Sequence, residues 1–503
     1  MASQLVSHKL HQVFSRAFCF TKHRAWYGCL QRANGNYNQA AMATRGISSA
    51  LGLNRQPSTP EQVPSEADVV VVGSGIVGTS LAYFLGSMDA ARRTPGQPPL
   101  RVLVIQGDDN FAETASFSSF GGIRQQFLTP ENILMPLFTS NFVKNAQKNL
   151  HVEGEDVPDV EWREQGYLFL TSDPTIAEKM VTGNKLQREL GAHTDLLTPD
   201  MIKERYPWVH TDDVLLGSLG SKNEGWLNST KMMAALRLKS QSQGCRFIHG
   251  RVTGFGIQGI NGDSNLDYDC ETADRRVQSV QVKLADSTKN ETVEIRSSAV
   301  VLAAGAASKA LARLMGIGEG PVGSLLHSPI PSESVVRHAF IVHIPGGLGP
   351  VDTLPFFVDI KGTYFRPDSQ LHDHFVICRG PKEGVVQAWN EVDYDLYNDA
   401  IFPELSHRIP KMKKMKVVKG FSGAYDANSY DSNSIIGGHP AFTNLYMATA
   451  FSGHGTMQSA AAARGLSELI LFGGYRTLDL SRFGFERCMA VQEHSIESEL
   501  NFC

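Results

Sequence analysis

The sequence predicts an α/β fold in which a discontinuous, doubly wound nucleotide-binding domain carries an inserted antiparallel β-sheet. Three observations support this prediction. A glycine turn joins an apolar strand to a helix of small residues at 73–78, a second glycine turn opens a helix at 453–455, and segments with strand character lie between them. Two turns of this kind so far apart in the chain indicate one long ligand held at both ends.

The first glycine turn is the most specific signal. Residues 68–72 form a largely β-branched run that suits a buried parallel strand, and residues 79–85 suit a helix. The glycines between them have G-x-G-x-x-G spacing, which lets the backbone approach a pyrophosphate at the positive end of a helix. A small-residue turn without a ligand is the alternative. We predict a dinucleotide site formed by Gly73, Ser74, Gly75, Ile76, Val77 and Gly78.

Composition narrows the class of protein. Residues 1–60 hold seven Lys and Arg but no Asp or Glu, which is typical of a mitochondrial presequence with cleavage near Ser48; a basic arm is the alternative. Without this segment the chain has 40 Lys and Arg against 51 Asp and Glu, so we expect no nucleic-acid binding. The seven cysteines form no C-x-x-C pair, so neither a zinc site nor any other metal site is predicted.

The domain organisation follows from the apolar segments. Residues 101–105, 298–302 and 445–449 are further buried strands of the nucleotide-binding sheet, whereas 166–171, 335–343, 356–365 and 374–378 are typical of an antiparallel sheet. We assign 1–65 to a presequence and linker, 66–165, 225–330 and 415–482 to the nucleotide-binding domain, 166–224 and 331–414 to the inserted substrate domain, and 483–503 to a C-terminal tail.

The second glycine turn points to a flavin. A strand at 445–449 runs into Phe451-Ser452-Gly453-His454-Gly455 and then into a helix at 456–472. A nicotinamide site needs no second turn, but a long flavin dinucleotide reaches from one turn to the other. Reduced flavin carries a negative charge, which a helix N-terminus would stabilise.

At this point the chain resembles the D-amino-acid oxidase, sarcosine oxidase and dimethylglycine dehydrogenase family, over nearly all of residues 66–482. The motifs Gly73–Gly78, 118–124, 166–170, 301–306 and 451–455 occur in the family's order. The resemblance implies a Rossmann-like FAD-binding domain with an inserted substrate sheet of the D-amino-acid oxidase type. It also implies that FAD contacts Gly73, Ser74, Gly75, Ile76, Val77, Gly78, Gln106, Ser118, Ser119, Gly121, Gly122, Val252, Gly305, Gly453, His454, Gly455 and Thr456.

Three positions near the cofactor differ from residues that relatives carry there. The family usually ends its second strand in Glu, which binds the adenosine ribose, and this chain has Gln106 there. An amide oxygen still accepts hydrogen bonds, so we expect weaker ribose binding. Where relatives attach flavin covalently, this chain has Gly423, two residues before Tyr425, and Ser118. We therefore predict non-covalent FAD.

Three residues are candidates for the oxidation of an amine or amino acid. Arg124 could clamp a substrate carboxylate or face the flavin, with a structural ion pair as the alternative. Tyr425 matches a position from which relatives direct a phenol at the substrate, although a buried aromatic explains it equally well. His454 is either a base or part of the turn that cradles the cofactor.

The substrate itself stays open. Met457 replaces the lysine that sarcosine oxidases use to bind substrate, so a small amino acid is doubtful; Tyr364 and Arg366 could restore a carboxylate site, with an exposed strand arginine as the alternative.

Partners and location are the last expectations. Within the family, residues 121–127, 130–132 and 450–455 resemble a mitochondrial branch, which implies a matrix flavoprotein linked to the assembly intermediates of respiratory complex I. An FAD-binding assembly factor without required turnover is therefore an alternative to an active oxidoreductase. The run 411–416, Lys-Met-Lys-Lys-Met-Lys, suits either a solvated face or peripheral contact with the inner membrane.

Overall fold

A computed structural model describes residues 63–107, 114–155, 159–259, 274–285, 291–368, 371, 373–380, 391–489 and 496. The predicted presequence, with its cleavage site near Ser48, lies outside these residues. Two large β-sheets and the helices packed on them form the described chain.

The first sheet is the predicted doubly wound sheet. Five of its strands are parallel, in the spatial order Arg246–Gly259, Val102–Gln106, Glu66–Val72, Thr292–Leu302 and Leu445–Thr449. The antiparallel strand Ile435–Gly438 forms one edge of the sheet. The strand Arg275–Leu284 pairs antiparallel with the second half of Arg246–Gly259 and with the first half of Thr292–Leu302. Since parallel strands end at the same edge of a sheet, Val72, Gln106, Leu302 and Thr449 all lie along one edge.

Helices cover this sheet because its strands are apolar on both faces. Ile76–Arg92 packs against the last helix, Gly455–Phe472, and against Ser229–Ser242. The core on this face contains Val71, Val104 and Val301, and a second core covers the opposite face around Val70 and Val300. The other α-helices within the described residues are Pro130–Lys144, Ala146–Leu150, Pro174–Glu189, Pro199–Arg205, Ser308–Arg313, Tyr394–Leu396 and Phe402–Arg408.

The second sheet has eight strands. Their spatial order is Lys416–Asn428, Ser332–His343, His374–Arg379, Thr363–Pro367, Phe356–Val358, Tyr167–Thr171, Leu216–Lys222 and His193–Leu197. All neighbours are antiparallel except Phe356–Val358 and Tyr167–Thr171, which run parallel. A third, two-strand pairing joins Gly122–Ile123 to Gly225–Trp226 beside the cavity described below.

Three local predictions differ from the structure. The strand predicted at 356–365 is two antiparallel strands, because the chain reverses in a turn at Gly362, where Asp359 N–H donates to the carbonyl of Thr363 at 2.8 Å. Lys416–Asn428 pairs with Ser332–His343 in the second sheet, beyond the boundary drawn at 415. At the other end, Phe485 of the assigned tail is buried in the core of the first sheet.

No helix within the described ranges is long and apolar enough to cross a membrane.

Candidate functional site

One cavity of about 890 Å³ lies at the carboxyl edge of the first sheet and extends to the second sheet. All predicted site residues line it except Gly78. They are Gly73, Ser74, Gly75, Ile76, Val77, Gln106, Ser118, Ser119, Gly121, Gly122, Arg124, Val252, Gly305, Tyr425, Gly453, His454, Gly455 and Thr456. Gly73 and Thr456 are 383 positions apart in the chain, so the two glycine turns line the same cavity.

The first glycine turn is shaped by close backbone approach. Gly73 has φ of +112°, and a Cβ there would lie 2.2 Å from the carbonyl oxygen of Ala303. A Cβ on Gly78 would lie 2.0 Å from the oxygen of Gly73, so Gly78 lets helix and strand pack rather than touching the cavity. Gly75 is open apart from Ser116 Oγ at 3.3 Å, and it begins the helix Ile76–Arg92. This arrangement suits a pyrophosphate at the helix N-terminus.

The second glycine turn has a strained backbone that is held by hydrogen bonds to Asp426. Ala450 and Ser452 have φ of +57° and +50°, values that non-glycine residues rarely adopt, and Gly453 follows at +84°. Asp426 holds the turn, since its carbonyl accepts from Ser452 N at 2.8 Å and its carboxyl from Phe451 N at 3.3 Å. Burial raises the pKa of Asp426 to about 6. Strain of this kind is commonly kept at functional sites.

Arg124 and His454 form a buried pair at this end of the cavity. Nη2 of Arg124 lies 3.3 Å from Nε2 of His454, and Nη1 donates to the carbonyl of Gln126 at 2.6 Å. Burial and the charges of Arg124 and Arg337 lower the pKa of His454 to about 3, so the imidazole is neutral. Since arginine only donates, Nε2 must accept, and its lone pair is engaged. A catalytic base at His454 stays a prediction that this contact disfavours.

Arg337 is a cavity residue that the sequence did not single out. It lies on Ser332–His343, opposite Gly423 of the neighbouring strand, and its Nη2 donates to the Tyr425 hydroxyl at 3.0 Å. Its guanidinium also lies 5.2 Å from the centre of the Tyr425 ring. A charged residue inside the stretch 335–342, which is apolar apart from Arg337 and His338, was the available signal. Arg337 and Tyr425 together offer a donor surface for an anionic group.

Arg366 has a different role from the one considered for it. Its Nε donates to the carbonyl of Phe120 at 2.8 Å and its Nη1 to that of Pro367 at 2.9 Å. It is half-buried and does not line the cavity, whereas Tyr364 does. Arg366 therefore holds the Phe120 loop in place.

Aromatic rings form one wall of the cavity. Tyr167 and Phe356 stack with centroids 4.1 Å apart, and Phe356 stacks on Tyr364 at 5.9 Å. Phe120 meets the edge of Tyr364 at 5.1 Å. All four line the cavity, as does Met457. These side chains give an apolar surface opposite the arginines.

Glu224 is a second residue that the sequence did not reveal. It is fully buried, accepting from Gln125 N at 2.6 Å and Gln126 Nε2 at 2.8 Å. Burial raises its pKa to about 8, which the two hydrogen bonds and the charge of Arg124 oppose. A Cβ on Gly220 would lie 1.9 Å from the carboxyl, so Gly220 makes room for it. Glu224 thus lies behind Arg124, joined to it through Gln126.

The residues of the cavity fit FAD. Two helix N-termini, at Gly75 and His454, border it, and the glycine positions leave room for the cofactor. Within the described residues, the three cysteines lie outside the lining. A separate surface group of His210, Asp213 and His407 has ligand atoms close enough together for a metal, but both oxygens of Asp213 accept from the buried Arg408 at 2.6 and 3.0 Å.

Comparison with known proteins agrees with the predicted fold and cofactor. Residues 68–469 match the family described as DAO, FAD dependent oxidoreductase. The chain belongs to this family, and its cofactor is FAD. It is 38% identical over 441 residues to FAD-dependent oxidoreductase domain-containing protein 1 of Xenopus laevis, covering 86% of this chain and 85% of that one.

More distant relatives share the same domain. The mitochondrial dimethylglycine dehydrogenase of Mus musculus is 21% identical over 459 residues, which cover 87% of this chain and 47% of that protein. Among solved structures, L-proline dehydrogenase from P. horikoshii superposes with a TM-score of 0.67 at 23% identity, over 84% of this chain and 99% of that one. The predicted D-amino-acid oxidase type of fold is confirmed.

Proposed function

We propose that this protein oxidises the C–N bond of an amine that also carries a carboxylate, using non-covalently bound FAD. The single observation that carries the proposal is the cavity itself. It joins the dinucleotide turn at Gly75 and the turn at Gly453 to a surface on the second sheet where Arg337 and Tyr425 meet. A carboxylate placed there would receive charged hydrogen bonds in a partly buried setting, where they are strong.

The chain's own residues bind the substrate, orient it and exclude water from the cavity. Bound FAD supplies the acceptor for a hydride from the carbon next to nitrogen. The aromatic wall of Tyr167, Phe356 and Tyr364 covers the apolar part of the substrate and keeps water away. Arg337 fixes the carboxylate end, which turns the C–H bond toward the flavin end of the cavity.

No proton acceptor is needed on the protein for this chemistry. His454 is neutral, but its Nε2 is engaged by Arg124. The site therefore selects the amine already in its neutral form. Arg124 and His454 together keep a positive charge and a helix N-terminus at the flavin end, where negative charge develops on reduction.

Anaerobic reduction of the purified holoprotein tests this proposal. A panel of secondary and tertiary amines with a carboxylate should bleach the flavin absorbance, whereas matched amines without the carboxylate should act far more slowly. NADH serves as the comparison for a nicotinamide-linked reductase. Equal reduction by both amine series would contradict the carboxylate assignment, and reduction by NADH alone would overturn the reaction class. Acid precipitation should release the flavin into the supernatant if the cofactor is non-covalent.

We also propose that the protein works in the mitochondrial matrix, with peripheral contact to the inner membrane. The acid-free segment 1–60 supports import. The name of the dimethylglycine dehydrogenase relative places that protein in mitochondria. Lys411, Lys413, Lys414 and Lys416 are exposed, while Met412 and Met415 are buried, so the run presents its charges outward. Import into isolated mitochondria, followed by extraction of the membranes with salt and with carbonate, tests this proposal. Salt should release the protein from the membranes.

A second candidate function is an FAD-binding factor for assembly of respiratory complex I, for which turnover is dispensable. Met457, at the position of a substrate-binding lysine, lines the cavity and favours this candidate over a sarcosine-type oxidase. Complementation of cells that lack the protein separates the two. A variant that binds FAD but cannot be reduced should restore complex I if assembly is the role, and should fail if oxidation is required.

A further inference from the structure

Beside the adenosine end of the cavity, a half-buried arginine contacts the residue that replaces the usual ribose-binding acid. Gln106 ends the strand Val102–Gln106, where dinucleotide folds commonly place a carboxylate against the ribose hydroxyls. Its side chain is buried and it lines the cavity. Nη1 of Arg237, on the helix Ser229–Ser242, donates to Gln106 Oε1 at 2.9 Å.

This contact determines the orientation of the Gln106 side-chain amide. Arginine has only donors, so the atom that meets Nη1 must be the amide oxygen and not the nitrogen. The guanidinium is itself held in place, because it lies 4.6 Å from the centre of the Phe247 ring. Phe247 pairs with Val104 and His249 with Gln106, so the ring and the amide belong to neighbouring strands at the same sheet edge.

Arg237 also brings a positive charge that the described surroundings do not offset. Burial lowers its pKa to about 10, and no carboxylate among the described residues raises it. A guanidinium with that pKa is still charged at neutral pH. The adenosine end of this cavity therefore presents a neutral amide with a cation behind it, where the common arrangement has an anion.

We infer that Arg237 is a cofactor-positioning residue, which holds the oxygen of Gln106 and so presents the Nε2 group of that side chain to the adenosine ribose as a hydrogen-bond donor. The usual polarity of the ribose contact is then reversed: the protein donates and a ribose hydroxyl accepts. Gln106 replaces the usual acid, and Arg237 compensates for the lost ribose contact by orienting the Gln106 amide as a donor. Arg237 does not itself line the cavity and acts through Gln106.

The test compares FAD with an analogue whose adenosine ribose lacks both the 2′- and 3′-hydroxyls. Dissociation constants are measured by flavin fluorescence on apoprotein reconstituted with each ligand. Arg237→Met should weaken FAD roughly tenfold, the loss of one hydrogen bond oriented by a charged group. The analogue should bind wild type and Arg237→Met equally, since it has no hydroxyl for Gln106 to reach.

Two further variants make the outcome decisive. In a Gln106→Met background, Arg237→Met should have no additional effect on FAD affinity, because the two residues act in series. Lys239→Met serves as the control, since Lys239 is on the same helix and donates to the carbonyl of His151 at the surface; it should bind both ligands like wild type.

Equal weakening of FAD and of the analogue by Arg237→Met would overturn the inference and assign Arg237 a general electrostatic role. So would additive effects in the double variant. If Arg237→Met does not fold, as judged by thermal unfolding of the apoprotein, Arg237→Gln removes the charge with a polar side chain and is measured in the same way. Since FAD is released and rebound without turnover, these results do not depend on the proposed substrate.

Discussion

Arg337 Nη2 donates a 3.0 Å hydrogen bond to the hydroxyl of Tyr425 across two antiparallel strands, with both residues at the cavity wall. The two residues are 88 positions apart in the chain. Tyr425, which the sequence predicted as a substrate-facing phenol, therefore forms an anion-binding surface together with Arg337. It also moves the expected carboxylate site from Arg366, which bonds backbone carbonyls, to Arg337.

Arg337→Met should raise KM for a carboxylate-bearing amine by roughly 100-fold, because about 3 kcal/mol of charged hydrogen bonding is lost. Steady-state or stopped-flow reduction of the flavin measures it. An amine without a carboxylate is the internal control and should react equally with both proteins. An equal loss with both amines would show that Arg337 supports the structure of the strand and not the substrate.

Arg124→Lys should keep bound FAD but slow flavin reduction by about 10- to 100-fold. Lysine keeps the charge but loses the planar fork that contacts Gln126 and His454 together. The flavin-to-protein ratio and the reduction rate are measured on the same sample. Unchanged reduction kinetics would leave Arg124 with a structural role alone, the alternative raised by the sequence.

Gly75→Asp should abolish FAD binding, because a carboxylate would lie beside the pyrophosphate at the helix N-terminus. A Cβ there meets only Ser116 Oγ within 4 Å, at 3.3 Å, so the variant should still fold. Gly474→Asp is the matched control, since a Cβ at Gly474 meets nothing within 4 Å and lies outside the cavity. Yellow holoprotein from Gly75→Asp would contradict the assignment of the first turn.

Glu224 should make stability fall as the pH rises. Its pKa is about 8 in the folded chain and near 4.5 in the unfolded one. Between these values the unfolded chain has lost the proton that the folded chain keeps, so the free energy of unfolding falls by at most about 1.4 kcal/mol per pH unit. Urea unfolding at pH 5, 6.5 and 8 measures this, comparing wild type with Glu224→Gln. The variant should lack this part of the pH slope, and parallel slopes would show that Glu224 is ionised when buried.

The sequence by itself determined the parts of this protein that depend on neighbouring residues. The run 68–72, the turn Gly73–Gly78 and the helix start are adjacent in the chain, and the glycine spacing alone predicts how closely Gly73 approaches its surroundings. The same holds for the turn before Gly455–Phe472. Both predictions needed only local backbone geometry.

Only the tertiary structure decided which side chains meet. Gln106 and Arg237 are 131 positions apart, and Arg124 and His454 are 330 apart. Their contacts depend on sheet order and helix packing, which local patterns do not encode. Glu224 shows the same limit, since an acidic residue in sequence is normally expected in solvent. Burial in a space left by Gly220 changes its pKa, and burial is a property of the assembled fold.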